Sequence, residues 1–266
     1  MSDESDRPPM SLGFQEGAAV FQSASQNARV WTEGWVARQL YCPNCGAARL
    51  GQQPNNNKVG DFSCRACAEE FELKSQKGRF GAKVMDGAYG AMCERLRASN
   101  NPNLLLMNYD LARLSVTDLI VVPKHFFVRE VIRRRPPLAP TARRAGWVGC
   151  HILLSEIPES GKLFIVRDGT PLPKGEVLEQ WRRTLFLRDQ ALEARGWLIE
   201  VMKCVEQLGR REFTLDDVYG FEDRLGRLYP GNQHVRPKIR QQLQVLRNQG
   251  YLEFEGRGRY RLKAQA

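Results

Sequence analysis

Two periods of apolar residues divide this chain into strands and helices. Residues 104–109 and 116–122 are short runs of branched apolar residues bounded by polar turns, which predicts two buried strands. Residues 149–157 and 162–168 read as two more strands that complete the same sheet. Met85, Tyr89, Met92 and Leu96 recur at spacings of four, three and four, the period of an amphipathic helix, which residues 100–103 stop. Val30, Trp31, Trp35 and Val36 predict a helix within 11–39 whose aromatic side packs on the core. Residues 50–58 read as a loop, with Gly51, Pro54 and three asparagines. Residues 170–175 form a turn-rich connector, and 176–190 read as helical.

The C-terminal part has a different rhythm. Helices are expected over 194–208, over 216–228 with Thr214 as N-cap, and over 232–249 with Val235, Ile239, Leu243 and Leu246 on one face. Residues 251–254 and 258–262 then form a hairpin around Gly256. Three helices and a two-stranded wing make a winged helix-turn-helix. The expected organisation is a disordered polar leader over 1–10, an α/β domain with a mixed sheet over 11–187, and the winged helix over 188–266.

One stretch concentrates chemistry on this frame. Asp61 is followed after ten residues by Glu72-Leu73-Lys74. Alternate side chains of a strand share a face, so Glu72 and Lys74 point together while Phe71, Leu73 and Ser75 turn toward a core. Two carboxylates converging with phosphate oxygens suit Mg²⁺. An ammonium at Lys74 would stabilise charge developing on a phosphoryl group. Alternating acids and bases also occur on ordinary solvated strands, so this pattern gains weight only from its surroundings.

Those surroundings are cysteines. Cys42 and Cys45, then Cys64 and Cys67 after eighteen residues, have the spacing of a four-thiolate zinc site. A disulfide framework fits poorly with seven cysteines and no secretory segment. Cys93, Cys150 and Cys204 are expected as small core residues. No transmembrane span or signal peptide is expected, which points to the cytoplasm.

Charge points to the partner. A formal net charge of +10 and a pI near 9.5, with no long apolar run, favour nucleic acid over a membrane. Residues 123–147 carry seven basic residues against one acid, a net of +6. Pro136, Pro137 and Pro140 force that region into an extended loop ending near Trp147. Arg143 and Arg144 are candidate phosphate contacts, and Trp147 is either a core plug or an aromatic contact at DNA. Residues 188–227 have a net charge of −2 and residues 228–266 a net of +6, so the third helix and wing form the DNA face. Gln233, His234, Arg236 and Lys238 are the candidates for the groove, with Arg257 and Arg259 on the backbone.

The runs 41–46, 61–74, 86–89, 136–147 and 256–261 resemble the DpnI-type methyl-directed restriction endonucleases, over nearly the whole chain from about residue 25. The resemblance implies a PD-(D/E)xK nuclease domain followed by a winged helix, cleaving double-stranded DNA at GATC where the adenine is N6-methylated. In that reading Asp61 and Glu72, with the carbonyl of Leu73, hold Mg²⁺, and Lys74 activates the water. The ends left are 3′-hydroxyl and 5′-phosphate, and the enzyme is expected to be a monomer. Gly60 stands where the superfamily motif has proline. Two other readings use part of the same evidence: a zinc-containing winged-helix regulator without catalysis, and a structure-specific repair nuclease. The first leaves Asp61, Glu72 and Lys74 idle, and the second needs no base-reading helix.

Overall fold

The structure, a computed structural model, describes residues 10–14, 21–54 and 60–263. The leader expected over 1–10 lies outside these apart from Met10, as does most of the second half of the loop expected over 50–58.

Helix α1 (Ala24–Gln39) is followed by strands β1 (Gly51–Gln52), β2 (Phe62–Ser63), β3 (Glu70–Lys77) and β4 (Lys83–Ala88). Helix α2 (Tyr89–Ala98) leads into β5 (Asn103–Asp110) and β6 (Ser115–Val122), then β7 (Ile132–Arg134), β8 (Gly149–Leu153), β9 (Leu163–Arg167) and β10 (Thr170–Pro171). After α3 (Lys174–Arg182) come α4 (Leu192–Gln207), β11 (Glu212–Thr214), α5 (Leu215–Tyr219), α6 (Glu222–Leu228), α7 (Val235–Asn248), β12 (Leu252–Gly256) and β13 (Arg259–Leu262). These elements form two compact units made of interleaved segments. The first takes the described residues up to Phe80 with Pro102–Val122 and Leu163–Leu178. The second takes Gly81–Asn101, Pro123–Lys162 and the described residues from Glu179 onward, and so contains all of the described part of 188–266.

The first unit is built on a mixed seven-stranded sheet in the order β1-β2-β3-β5-β6-β9-β10. Within it only β3 and β5 run parallel. Parallel neighbours require a long crossover, which residues 78–102 provide. The expected strands over 104–109 and 116–122 are β5 and β6, and Leu104 to Met107 are at most 3% exposed. Helix α1 packs on β3, with Trp35 and Val36 fully buried. The Trp35 indole donates to the Ser11 carbonyl at 2.8 Å, which removes the cost of burying its N–H.

The second unit holds a three-stranded sheet, β4-β8-β7, and a second, β11-β13-β12, beside α4 to α7. Three expectations change here. Residues 149–153 do form a strand, but β8 pairs with β4 and β7 and not with the large sheet. Met85 lies on β4 and is 64% exposed, because Val84 turns inward in a period of two and Gly87 disfavours an earlier helix start. The helix expected over 176–190 ends at Arg182, with a single 3₁₀ turn at Leu185–Leu187.

Towards the C-terminus, the helix expected over 216–228 is broken into α5 and α6 around Gly220 and Phe221. Thr214 caps α5 with a reciprocal capping box. The Asp217 amide donates to the Thr214 hydroxyl at 3.2 Å, and the Thr214 amide donates to the Asp217 carboxylate at 2.7 Å. The expected hairpin is β12 and β13, and β11 adds a third strand to it. Helix α7 buries Ile239, Leu243 and Leu246, while Val235 at its first turn is half-buried. Cys150 and Cys204 are buried as expected, but Cys93 is only half-buried on α2.

Candidate active site, metal centre and DNA-facing surfaces

Strands β2 and β3 form an antiparallel hairpin whose turn is the second cysteine pair. Phe62 lies opposite Phe71 and Ser63 opposite Glu70, so residues 64–69 form the loop and carry Cys64 and Cys67. One step below the last pair, the two chains present Asp61 and Glu72. The Asp61 amide donates to the Phe71 carbonyl at 2.8 Å, and the Leu73 amide donates to Asp61 Oδ2 at 2.8 Å. The Asp61 carboxylate is thus held at the level of Glu72-Leu73-Lys74. The Lys74 ammonium donates to Glu72 Oε1 at 2.5 Å, and both side chains are about a quarter exposed. This is the shared face that strand alternation requires.

Gly60 explains its own departure from proline. Its φ is +124°, outside the range that a pyrrolidine ring permits. A Cβ there would stand 2.9 Å from the Phe71 carbonyl oxygen. Glycine lets the chain pass close enough to β3 to deliver Asp61.

The four sulfurs of Cys42, Cys45, Cys64 and Cys67 lie within 4.8 Å of one another. Cys42 and Cys67 are 3.6 Å apart, as are Cys45 and Cys64. Thiolates about 2.3 Å from a tetrahedral zinc stand roughly 3.8 Å from each other, so this donor set can hold Zn²⁺. Both halves are the same knuckle. Gly46 N–H returns to the Cys42 carbonyl and Ala68 N–H to the Cys64 carbonyl, each at 2.8 Å, with φ of +81° and +57°. Burial pushes the thiols of Cys42 and Cys45 up, so metal would bind with release of their protons. The second knuckle is also anchored to the sheet: Cys64 N–H donates to the Glu69 carbonyl, and the buried Glu69 carboxylate accepts from Asn103 of β5 at 2.7 Å.

Two residues of α1 were not singled out from the sequence. Arg29 bonds Glu33 at 2.5 Å, and its guanidinium is held above its ordinary value first by that bond and also by the charge of Asp61. Gln52 of β1 donates to the other Glu33 oxygen at 3.2 Å. The i, i+4 spacing of Arg29 and Glu33 was the available signal, and it is common on solvated helices.

Within the second unit, Arg143 and Arg144 are exposed on the turn before Trp147. Trp147 is half-buried. The Arg144 guanidinium lies over its ring at 4.6 Å, and its ring is so close to Gly149 that a Cβ there would sit 2.8 Å from it. The ring is therefore held between Arg144 and Gly149 without being fully buried. In the helix-turn-helix part, Gln233 and His234 are exposed but precede α7, which starts at Val235 and not at 232. The Asn232 side chain accepts from the His234 amide at 2.8 Å and closes a local turn there. Arg236 is exposed and bonded to Glu222 at 2.6 Å, while Lys238 is half-buried with its ammonium on Gln241 at 3.0 Å. Arg257 and Arg259 are exposed on the wing.

A mixed α/β domain with a four-cysteine cluster that could hold zinc, continued by a helix-turn-helix domain, is the class this fold and site define. The DpnI model, described as the Dam-replacing family, matches residues 10–190, and the model of its C-terminal part, the Dam-replacing HTH domain, matches residues 193–262. The chain belongs to the Dam-replacing family. Membership supports a methyl-directed restriction nuclease with a DNA-binding domain. Among the described residues no helix is long and apolar enough to cross a membrane.

Proposed function

We propose that the protein is a Mg²⁺-dependent type II endonuclease that cleaves double-stranded DNA at GATC containing N6-methyladenine, leaving 3′-hydroxyl and 5′-phosphate ends. The observation that carries this reading is the base of the β2–β3 hairpin, where Asp61 is bonded to the Leu73 amide and Glu72 shares a face with Lys74. Asp61, Glu72 and the Leu73 carbonyl would hold Mg²⁺, and two carboxylates with a carbonyl are the hard oxygen donors that this ion prefers. When bound, the ion supplies charge stabilisation at the phosphoryl oxygens. Lys74 orients the attacking water and stabilises the charge that develops in the transition state. In-line attack breaks the bond to the 3′ oxygen. Cys42, Cys45, Cys64 and Cys67 would hold zinc, which would fix the hairpin turn structurally.

DNA is held in this reading by Arg143 and Arg144, by Gln233 and His234 just before α7, by Arg236 and Lys238 in its first turn, and by Arg257 and Arg259 of the wing. Trp147, braced by Arg144 and Gly149, offers an apolar face to the methyl group that N6-methyladenine places in the major groove. Burying one methyl contributes about 1 kcal/mol, roughly fivefold in affinity. Strong methyl dependence therefore needs more than one such contact, with both strands' methyls read or the methyls read in both domains. In this reading the protein is a cytoplasmic monomer.

The test uses three otherwise identical GATC duplexes, fully methylated, hemimethylated and unmethylated, incubated with the protein and Mg²⁺. Cleavage should fall in that order. Equal rates on all three would overturn the methyl-directed reading, and no cleavage of any would overturn the nuclease.

A further inference from the structure

A cavity of about 140 Å³ in the second unit is lined by Lys124, Arg188 and Arg195, together with Asn101, His125 and Ser99. No carboxylate is among its lining residues. Arg195, in the first turn of α4, is only 5% exposed, and its Nε has no hydrogen-bond partner. A buried guanidinium in that state is costly, since burial of a cation is normally offset by a paired carboxylate. The same helix shows the normal solution two turns on: buried Lys203 is held by Glu156 and by Glu200, the latter at 3.2 Å. Burial alone shifts the Arg195 guanidinium, downward, with no carboxylate acting to raise it.

Two acceptors complete the lining. The Thr184 hydroxyl gives its proton to the Trp181 carbonyl at 3.0 Å, so at 2.9 Å it accepts from His125 Nε2–H. His125 Nδ1 then carries a lone pair. It is unpartnered in a residue 1% exposed, as is Asn101 Oδ1 in a residue 7% exposed. Cationic donors beside buried, unused acceptors call for a ligand that is both anionic and a proton donor. A fully ionised oxyanion such as sulfate has no proton to give, and neither has a phosphodiester of the DNA backbone.

We infer that this cavity binds a hydrogenphosphate group, either free inorganic phosphate or a terminal phosphate monoester in its singly protonated form. Arg195, Arg188 and Lys124 bind its oxygens, and its P–OH donates to Asn101 Oδ1 or His125 Nδ1. The site lies apart in the chain from Asp61, Glu72 and Lys74, and its occupancy does not depend on whether the protein cleaves DNA.

The experiment measures thermal unfolding and calorimetric binding of the full chain with inorganic phosphate or sulfate at matched ionic strength, without DNA or Mg²⁺. Phosphate should raise the midpoint and bind at least ~10-fold more tightly than sulfate, a discrimination of about 1.4 kcal/mol. Thymidine 5′-monophosphate against thymidine separates the sources: binding of the nucleotide marks a terminal monoester, and binding of inorganic phosphate alone marks the free ion. Arg195→Met should abolish the phosphate response while leaving the phosphate-free midpoint equal or higher, because an uncompensated buried charge has gone. A structural arginine would instead lower it. Ser99→Asp covers the case in which Arg195→Met does not fold. Ser99 is exposed at φ +52°, a conformation Asp tolerates. A carboxylate at the rim should weaken phosphate binding by about 10-fold or more. Equal responses to phosphate and sulfate, no response to either, or an unchanged response in Ser99→Asp would overturn the inference.

Discussion

The amide of Leu73 donates to Asp61 Oδ2 at 2.8 Å, tying the carboxylate that precedes β2 to the middle of the E-x-K strand. One carboxylate oxygen is thereby fixed while the other stays available. Replacing Asp61, Glu72 or Lys74 by Ala should lower DNA cleavage by about 10²–10³-fold or more, the scale of losing a fixed charge at a phosphoryl centre. Binding of uncleaved DNA, read by anisotropy in Ca²⁺, should change little. A variant cutting at near the parent rate would remove that residue from the active site.

Gly60 should tolerate no side chain. Its φ is +124°, and a Cβ there would stand 2.9 Å from the Phe71 carbonyl oxygen. Gly60→Ala should therefore cost about 1–3 kcal/mol in urea unfolding, and Gly60→Pro more. Cleavage should fall with it, since the same turn delivers Asp61. An unchanged midpoint in Gly60→Ala would show that the close approach to β3 is not required.

The second cysteine pair and the acidic pair share one hairpin, so losing a metal held by the four thiolates should disturb both. Cys64→Ser should purify with no zinc by elemental analysis. The 62–71 hairpin should then become a protease-sensitive site, and activity should not return on adding Mg²⁺. Full zinc content in Cys64→Ser, or a zinc-free parent protein, would count against the four-thiolate site.

His125 gives a pH signature. Burial first, then Arg188, Arg195 and Lys124, hold it well below its ordinary 6.5, so the folded chain keeps it neutral where the unfolded chain binds a proton. Its contribution is complete above pH 6.5 and is lost as pH falls below that value toward the depressed folded value. In phosphate-free buffer, stability should decline as pH falls below 6.5, with a slope that steepens toward about 1.4 kcal/mol per pH unit roughly one unit lower. His125→Gln should flatten that limb; the same slope in the variant would exclude His125 as its origin.

Trp147 carries the methyl preference in the proposed reaction. Trp147→Ala should compress the ranking of fully methylated, hemimethylated and unmethylated duplexes by at least ~5-fold, with smaller effects on overall fold because the ring is only half-buried. If the ranking survives intact, the tryptophan serves only to brace the loop against Gly149.

The sequence by itself determined the cysteine quartet, because metal-ligand spacing is a local property of two short loops. It also determined the placing of Glu72 and Lys74 on one face, because strand alternation is local. The apolar runs of β5 and β6 and the Thr214 cap were legible for the same reason. What tertiary structure decided is which strands pair. β8 looked like β9 in composition, yet joins β4 and β7, because pairing depends on partners distant in sequence. Met85 obeyed a helical spacing and became an exposed strand residue, since Gly87 and the pairing of β4 with β8 outweighed a three-interval pattern. Gly60 looked like a defect in a motif until its φ and the Phe71 carbonyl showed why proline is barred there. The cavity around Arg195 left no sequence signal at all. Asn101, Lys124, His125, Arg188 and Arg195 come from separate segments, and only folding brings them together and leaves the buried Arg195 Nε without a partner.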